Sequence, residues 1–493
     1  MTDSFSKHLT TEFPIHEARL FNDADAALLY IQKIYNDSLV TIKDAFSQAV
    51  DGHADTINIT SGCYPYVGFR VENKDLCHDP SFSYGAVTEP GHYGGTLTHP
   101  DHFHAYYREQ IQLILERHKV PVVVGRSLWP IPLPFAVEHS PSDLETGQLC
   151  QVKNVFVLPD LSRIDDNGPN CTAPSTYIRP ISLFTGERVD FSLHRLKHYT
   201  GTDVQHFQKF ILLTNYQRYI DAFIDFSRAE LKKEGTEYTD FVGPGSLSFT
   251  KENPDEEHCS KNTHLPQMPA YHLKRADGQG ITFINIGVGP SNAKTITDHL
   301  AVLRPHCWLM LGHCAGLRST QNLGDYVLAH GYVREDHVLD QDLPLWIPVP
   351  ALAEIQVALQ TAILNVTHES SEEVKSHMRT GTVLTTDNRN WELQSREFYE
   401  RFRQSRAIAV DMESATITAN GFRFRVPYGT LLCVSDKPIH GEIKLQGIAN
   451  TFYRQRVRQH LEIGLETVRL LREGGAEQLH SRKLRGFDEP PFR

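Results

Sequence analysis

Residues 428–437 read YGTLLCVSDK, an apolar run that ends abruptly in a serine, an acid and a lysine. A short apolar run of this kind is typical of a buried β-strand. A second such stretch, AIAVDMES at residues 407–414, passes from apolar residues into Asp411 and Glu413. Because a buried carboxylate needs hydrogen-bond donors, two buried strands that end in acids predict a sheet edge with a chemical role.

Working outward from these two stretches, short apolar runs alternate with helical patterns from about residue 205 onward. Helical periodicity follows several of the runs, with Ser291 as the predicted N-cap of one helix. Strands that alternate with helices predict an α/β domain with a mainly parallel sheet. The further predicted strands are FILLT (210–214), ITFINI (281–286), CWLMLG (307–312), DYVLAH (325–330) and GTVLTT (381–386).

The first third of the chain mixes helix and strand signals. Residues 24–50 and 104–118 predict amphipathic helices, and turn-forming residues dominate 164–175. We therefore predict three segments, and we interpret the polar stretch 232–264 as a surface loop within the second. The segments are an α+β N-terminal domain (1–180), a catalytic domain (181–480) and a C-terminal tail (481–493).

Composition limits the classes of function. The 493 residues include 49 Lys and Arg against 60 Asp and Glu, a net charge of −11. This acidic balance disfavours broad nucleic-acid or membrane-surface binding. The chain has no run of about 18 apolar residues, and its first residues lack the apolar stretch of a secretory signal. Eight scattered cysteines without a C-x-x-C pair favour a reduced, cytoplasmic location.

Polar residues directly follow six of the predicted strands. In sheets of this type the ligand crevice lies beyond the carboxyl ends of the strands, so these residues are candidates for one shared site. The candidates are Arg218, Gly289, His313, Arg318, Asp387, Arg389, Trp391, Asp411, Met412, Glu413, Ser435 and Asp436.

Each of these signals has a structural alternative. The three strand-end acids could cap the helices that follow, and His313 could be a packed histidine. The turn GVGPSN at 287–292 lacks the third glycine of the dinucleotide fingerprint, which leaves a tight turn or an anion site at a helix N-terminus. A histidine cluster in the N-terminal domain has no closed zinc spacing, so we predict no metal site. Its members are His92, His99, His102 and His104.

Taken together, the motifs resemble those of a known superfamily. VDMES (410–414) followed by VPYGTLLCVSDK (426–437) resembles the paired signature of the purine nucleoside phosphorylase and methylthioadenosine nucleosidase superfamily. NIGVGPSNAKT (285–295) and LGHCAGLR (311–318) fall where that superfamily has its glycine turn and its G-[ST]-x-G-type loop. This resemblance covers roughly residues 205–475. With NYQRY (215–219) ahead of these motifs and a long N-terminal domain, most of the chain resembles the bacterial AMP nucleosidase family.

The resemblance implies a three-layer α/β catalytic domain with a mainly parallel or mixed sheet, and it implies residue roles. Asp436 matches the acid beside the purine, Glu413 the glutamate that binds the ribose hydroxyls, and Met412 the methionine under the sugar. Asp411 sits where hexameric phosphorylases carry another acid. Arg218 matches an arginine that those phosphorylases use for phosphate.

One departure bears on the nucleophile. Met310 stands where the phosphorylases carry an arginine aimed at the attacking phosphate, and His313 replaces a small hydroxyl residue. Loss of that cation favours water as the nucleophile and leaves Arg218 and Arg318 to hold a 5′-phosphate. Residues 387–391 occupy the base-side loop, where either Arg389 or Trp391 could cover the base.

The function that the resemblance implies is hydrolysis of AMP to adenine and ribose 5-phosphate, with no metal or organic cofactor required. Phosphorolysis and a non-catalytic purine nucleotide sensor remain the alternatives. The resemblance further implies a homo-hexamer, a regulatory or assembly role for the N-terminal domain, and control by phosphate and by ATP with Mg as an allosteric activator. Candidate effector contacts are Tyr64, Tyr66, Arg70, His92 and Arg126.

Overall fold

The computed structural model describes residues 12–51, 62–77, 79, 84–137, 155–166, 178–255, 258, 265–443, 449–479, 484–486 and 489–493, with backbone alone over 449–455. These residues form two compact units, Met1–His194 with Arg485–Arg493, and Arg195–Leu484. The division therefore falls after His194, whereas the sequence suggested a boundary near 180. The reason is Asp190, a fully buried acid that accepts hydrogen bonds from Tyr64 (2.6 Å) and Thr98 (2.6 Å) of the first unit.

The C-terminal residues also belong to the first unit. The backbone N–H of Arg493 donates to Oε1 of Gln110 at 2.9 Å, and that of Phe492 donates to the carbonyl of Ile181 at 2.9 Å. The predicted tail at 481–493 is thus partly fixed by backbone hydrogen bonds over its last described residues.

The first unit contains a five-stranded sheet in the order β1-β4-β2-β3-β5. Its pairings are antiparallel except for β3 with β5, and the helices that accompany it confirm the α+β prediction. The elements are β1 (Ile15–Phe21), α1 (Ala24–Val50), β2 (Cys63–Val71), β3 (Gly91–Thr96), α2 (His104–His118), β4 (Val122–Pro130), α3 (Leu133–Ala136), β5 (Ile178–Pro180) and α4 (Gly186–Thr200).

Helix α1 begins where its sequence indicates. The side chain of Asp23 accepts a hydrogen bond from the backbone N–H of Ala26 at 2.8 Å, which caps the helix. The predicted apolar stripe of this helix is buried. Tyr35 and Ile42 of this helix belong to one buried cluster with Tyr64 and Ile131.

The second unit contains a ten-stranded sheet in the order β14-β13-β12-β15-β11-β6-β10-β9-β7-β8. Every strand predicted from residue 205 onward is present. The elements are β6 (Phe210–Thr214), α5 (Gln217–Leu231), β7 (Tyr238–Val242), β8 (Ser248–Thr250), β9 (Ala270–Arg275), β10 (Ile281–Asn285), α6 (Pro290–Leu300), β11 (Cys307–Gly316), β12 (Tyr326–Glu335), α7 (Ala353–Thr367), α8 (Ser371–His377), β13 (Met378–Thr386), α9 (Ser395–Ser405), β14 (Ala409–Asp411), α10 (Ser414–Phe424), β15 (Tyr428–Asp436) and α11 (Ala449–Gly474).

The sheet is mixed, and part of it closes on itself. Strands β6, β10, β11 and β15 are mutually parallel, as are β12, β13 and β14. These two sets run in opposite directions where β12 meets β15, and β14 also pairs antiparallel with β11. Strands β11, β15, β12, β13 and β14 therefore form a closed ring, in which β14 pairs with the last two residues of β11.

Helices cover both faces of this sheet. Gly464 of α11 lies so close to Leu311 of β11 that a β-carbon would clash with it, and Gly421 of α10 approaches Tyr428 and Trp308 in the same way. Leu311 and Trp308 point to opposite faces because side chains alternate along a strand. The catalytic unit thus has the three layers expected from the resemblance.

Two local predictions are wrong. The segment 232–264 is not all loop, since it contains β7 and β8, whose short and half-buried pattern hides them in the sequence. Helix α6 begins at Pro290 with Gly289 as its N-cap, not at Ser291. Gly289 has φ 115°, a conformation that favours glycine, and the proline at the first helical position fixes the start.

Across the described ranges of the chain, no helix combines the length and the apolar character that a membrane span needs.

Candidate active site

The parallel strands β6, β10, β11 and β15 end at one edge of the second unit's sheet. Asn215 and Tyr216 follow β6, residues 287–289 follow β10, and Asp436 ends β15. On β11, His313 pairs with Cys433 of β15, three residues before Asp436, and it lies beyond Met310, the last residue of β11 that pairs with β6. Residues near the ends of all four strands therefore lie at one edge of the sheet.

Glu413 lies at the centre of this place, although it comes from the opposed set of strands. Its side chain is 1% exposed. Oε1 accepts a hydrogen bond from the backbone N–H of Gly289 at 2.7 Å, and Oε2 accepts one from Nδ2 of Asn215 at 2.9 Å. Glu413 reaches this edge because β14, two residues before it, pairs with the end of β11 in the closed ring of strands.

Asp411 is buried beside Glu413 but is engaged by the protein itself. Its Oδ1 accepts a hydrogen bond from Thr385 at 2.5 Å, while Oδ2 accepts from both the backbone N–H (2.9 Å) and the hydroxyl of Ser414. Ser414 begins α10, and Glu413 is its N-cap residue, so Asp411 accepts the first backbone N–H of that helix. The geometry favours the structural alternative for Asp411, and its predicted contact with substrate stays a prediction.

Asp411 and Glu413 are both buried, and burial disfavours the charged form of each carboxyl group. Burial raises the pKa of both carboxyl groups, and the charge of Asp411 adds to the rise for Glu413, whose pKa reaches about 8. Asp411 accepts three hydrogen bonds against two for Glu413, so we assign the negative charge to Asp411 and the proton to Glu413 near neutral pH. A carboxyl group that titrates near neutrality in a polar crevice is a marker of a functional site.

Asp436 ends β15 at an irregularity of the pairing with β11, which shifts its register between Cys314 and Ala315. Its side chain is half-buried, and the hydroxyl of Ser435 lies 2.6 Å from its Oδ1. The same hydroxyl also lies 3.3 Å from the carbonyl of Cys314. Ser435 can therefore donate to Asp436 or turn its hydrogen to the carbonyl.

Tyr216 connects the two candidate catalytic acids. Its pKa rises to about 12, first because the phenol is buried and then because the charges of Glu413 and Asp436 oppose its ionisation, while Arg389 has the opposite effect. Tyr216 is therefore close enough to both acids to feel their charges. That Asp436 and Glu413 serve one cleft stays a prediction.

His313 is buried next to Tyr216. The two ring centroids are 4.6 Å apart with planes at 70°, an edge-to-face contact. On its other side, Nε2 of His313 lies 3.4 Å from the hydroxyl of Tyr219, which is 2.7 Å from Nδ1 of His460. The sequence indicated Tyr219 only as part of an apolar helix stripe, and no local signal points to His460 on α11.

The two candidate phosphate arginines differ in their surroundings. Arg218 is exposed in the first turn of α5, two residues after Tyr216. Arg318 donates from Nη2 to the carbonyl of Arg406 at 2.8 Å, just before β14 begins. The prediction that Arg318 binds phosphate stays a prediction, but the structure gives its guanidinium another partner.

The base-side loop separates into an exposed and a buried part. Asp387 and Arg389 are exposed, and the charge of Arg389 reaches the Tyr216 phenol. Trp391 is 6% exposed and packs against Phe398 and Phe402 with ring centroids 6.2 and 5.3 Å away. Of the two candidates for covering a base, the structure thus favours Arg389. Met412, between the paired acids, is half-buried.

The first unit holds no comparable convergence of the predicted residues. Among the described residues, no group of three or more His, Cys, Asp and Glu side chains is placed to hold a metal ion. Most candidate effector residues bond within the unit, whereas Tyr66 lines a small pocket together with Trp129 and Arg163. Each of these residues lies beside an acid of the same unit: Tyr64 and His99 beside Asp190, Arg70 and His92 beside Glu12, and Arg126 beside Glu17.

Comparisons with known proteins agree with this architecture. Residues 26–177 match the family described as the bacterial AMP nucleoside phosphorylase N-terminus, and residues 248–463 match the phosphorylase superfamily. The chain is also 22% identical over 188 residues to a guanosine phosphorylase of Halorubrum lacusprofundi, a match that covers 38% of this chain and 74% of that protein. Fold and site thus define an α/β protein of the phosphorylase superfamily.

A match over nearly the whole chain identifies the family within this superfamily. The chain is 46% identical over 473 residues to the AMP nucleosidase of Escherichia coli strain K12, covering 95% of this chain and 98% of that protein. The solved structure of an AMP nucleosidase from Bacteroides thetaiotaomicron aligns with a TM-score of 0.43 at 28% identity, covering 58% of this chain and 98% of that one. The chain belongs to the AMP nucleosidase family.

Proposed function

We propose that this protein hydrolyses the N-glycosidic bond of AMP to give adenine and ribose 5-phosphate. The observation that carries the proposal is the buried Glu413, held by Gly289 and Asn215 at the sheet edge where Asp436 ends β15. Nearly full-length identity to an AMP nucleosidase supports the choice of substrate. The protein is on this account an N-glycosyl hydrolase.

Glu413 acts on the sugar. As the bond to adenine breaks, positive charge builds on the ribose ring, and catalysis requires groups that stabilise this charge in the transition state. Once ionised above its pKa of about 8, Glu413 stays held by Gly289 and Asn215, so it can accept hydrogen bonds from the ribose hydroxyls and face the growing cation. Water exclusion around a 1%-exposed side chain strengthens this electrostatic effect.

Asp436 acts on the leaving group. Adenine departs with an extra electron pair, which a proton delivered to the purine N7 neutralises. Asp436 in its acid form supplies this proton, and Ser435 can then turn its hydroxyl to stabilise the carboxylate that remains. Water supplies the hydroxyl group that forms the new bond to the sugar carbon.

Product analysis tests this function. The purified protein is incubated with AMP in buffer that contains no phosphate, and bases and sugars are separated by chromatography. We expect adenine and ribose 5-phosphate in equal amounts. A ribose 1-phosphate product that appears only when phosphate is added would instead establish phosphorolysis, and binding of AMP without release of adenine would establish a nucleotide sensor.

We also propose that Arg218 holds the 5′-phosphate, because it lies in the strand-to-helix turn beside Tyr216 and its guanidinium fork matches phosphate oxygens. We expect Arg218→Ala to raise the Michaelis constant for AMP by about tenfold or more, and that for adenosine hardly at all, since a charge-assisted hydrogen bond contributes about 1.5–3 kcal/mol. Arg228→Ala, in the last turn of the same helix α5, is the matched control. Equal changes for AMP and adenosine in the Arg218 variant would contradict this role.

Assembly, regulation and location rest on the family resemblance. We propose a homo-hexamer in the cytoplasm, with ATP (as its Mg complex) and phosphate as effectors acting through the N-terminal unit. We propose no cofactor for the bond cleavage itself.

A further inference from the structure

We infer that His313 binds the attacking water through Nδ1 and accepts its proton, and that Tyr219 and His460 are positioning residues that hold the imidazole for this task. The inference deepens the proposed hydrolysis and rests on it. It concerns the nucleophile, because Asp436 and Glu413 already have roles at the purine and at the sugar.

The first step is a continuous chain of hydrogen bonds behind His313. Nε2 of His313 lies 3.4 Å from the Tyr219 hydroxyl, that hydroxyl lies 2.7 Å from Nδ1 of His460, and Nε2 of His460 lies 3.0 Å from the carbonyl of Leu431. Both Tyr219 and His460 have no exposed surface. The chain therefore runs through dry protein and ends on a backbone group that only accepts.

The second step assigns the hydrogen atoms. The Leu431 carbonyl requires a hydrogen on Nε2 of His460, and burial lowers the pKa of this histidine to about 3, so its Nδ1 carries none. The Tyr219 hydroxyl must then donate to that Nδ1 and can offer only a lone pair to His313. His313 consequently carries a hydrogen on Nε2 in both of its protonation states, and Nδ1 is the nitrogen that gains and loses a proton.

The third step places the ring of His313 beside Tyr216. His313 contacts Tyr216 edge to face, and Tyr216 is the phenol on which both Glu413 and Asp436 act. Its neighbours cannot replace it as a base near neutral pH. Burial raises the pKa of Tyr216 and of Cys433 to about 12. A histidine with one fixed tautomer beside the cleft is therefore the group suited to take a proton from water.

The reaction balances with these three side chains. The electron pair of the bond from the sugar carbon to the purine nitrogen leaves with adenine, and Asp436 gives its proton to the purine N7. The water oxygen forms the new bond to the sugar carbon, and one of its hydrogens passes to Nδ1 of His313. Exchange with solvent returns this proton and restores Asp436 to its acid form.

Azide distinguishes a base from a packing residue, because this anion attacks without having to lose a proton. We expect His313→Ala and His313→Gln to lower kcat for AMP by about a hundredfold, the lower end for a general base, with little change in the Michaelis constant. Azide should restore adenine release in His313→Ala and yield ribosyl azide 5-phosphate. It should not rescue Asp436→Asn, whose defect lies in the leaving group.

Tyr219→Phe tests the positioning chain, and Tyr326→Phe is its matched control. Tyr326 is equally buried and its ring lies 5.4 Å from that of His460, but its hydroxyl donates to Gln459 instead. We expect kcat to fall about tenfold in Tyr219→Phe, the equivalent of a hydrogen bond of about 1.4 kcal/mol. Tyr326→Phe should keep the wild-type value.

Each outcome decides the inference. Wild-type kcat in either His313 variant, or a His313→Ala variant that folds but gains nothing from azide, would overturn it while leaving the proposed hydrolysis intact. If His313→Ala does not fold, His313→Gln still tests the inference. The pair Tyr219→Phe and Tyr326→Phe tests it as well, because equal losses of kcat in these two variants would overturn it. Failure of the wild-type protein to release adenine from AMP would remove the proposed function itself.

Discussion

Asp436→Asn is expected to lower kcat for AMP by about a thousandfold while changing the Michaelis constant little, because a positioned general acid contributes about 10²–10⁴-fold. Asparagine has nearly the same shape and can still accept the hydrogen bond from Ser435. What it lacks is a proton to give to the departing purine. Steady-state kinetics on the purified variant, together with its melting temperature, measure this effect.

A substrate with a different leaving group makes the test specific. 4-Nitrophenyl riboside 5-phosphate releases a stable anion that needs no proton, so Asp436→Asn should hydrolyse it at close to the wild-type rate. Equal losses on both substrates would show that Asp436 maintains the site rather than protonating the purine. Turnover of AMP within tenfold of wild type would remove the acid role altogether.

The part of this architecture that could be predicted from sequence is the part encoded locally. The strands ending in YGTLLCVSD and AVDMES form as predicted, since burial and strand propensity act within each segment. Asp436 ends β15 at the edge that the sequence predicted, whereas Glu413 reaches this edge by another route. Glu413 arrives through the pairing of β14 with β11, a contact between residues nearly a hundred positions apart that no local pattern encodes.

The contacts that the sequence did not predict have related physical causes. Trp391 belongs to an aromatic cluster with Phe398 and Phe402, so the requirement to bury a large ring outweighed its position in the loop after β13. Asn215, which bonds Glu413, follows a strand like several other polar residues and carries no distinguishing signal. His460 reaches Tyr219 from a helix at the far end of the chain. Long-range pairing decides all of these contacts.

Glu413→Gln is expected to lower kcat/KM for AMP by about a hundredfold or more, because the variant loses the charge that faces the sugar cation in a water-excluded site. The fold should survive this change. Glutamine Oε1 can accept the hydrogen bond from Gly289, and Asn215 can turn its amide so that Oδ1 accepts from the new NH₂ group. Glu373→Gln is the matched control, since Glu373 also accepts a backbone N–H, that of Ser370, but on an exposed helix start.

The pH dependence gives a second signature of the same carboxyl group. Its pKa is raised to about 8, so kcat/KM of the wild type should increase with pH until Glu413 ionises, and the variant should lack this rise. Stability should change in the opposite direction. A folded-state pKa above the unfolded value of 4.5 means that stability present at acidic pH is lost as the pH rises toward about 8. Wild-type melting temperatures should therefore fall more steeply than those of Glu413→Gln between about pH 5 and 8, and parallel curves would contradict a protonated Glu413.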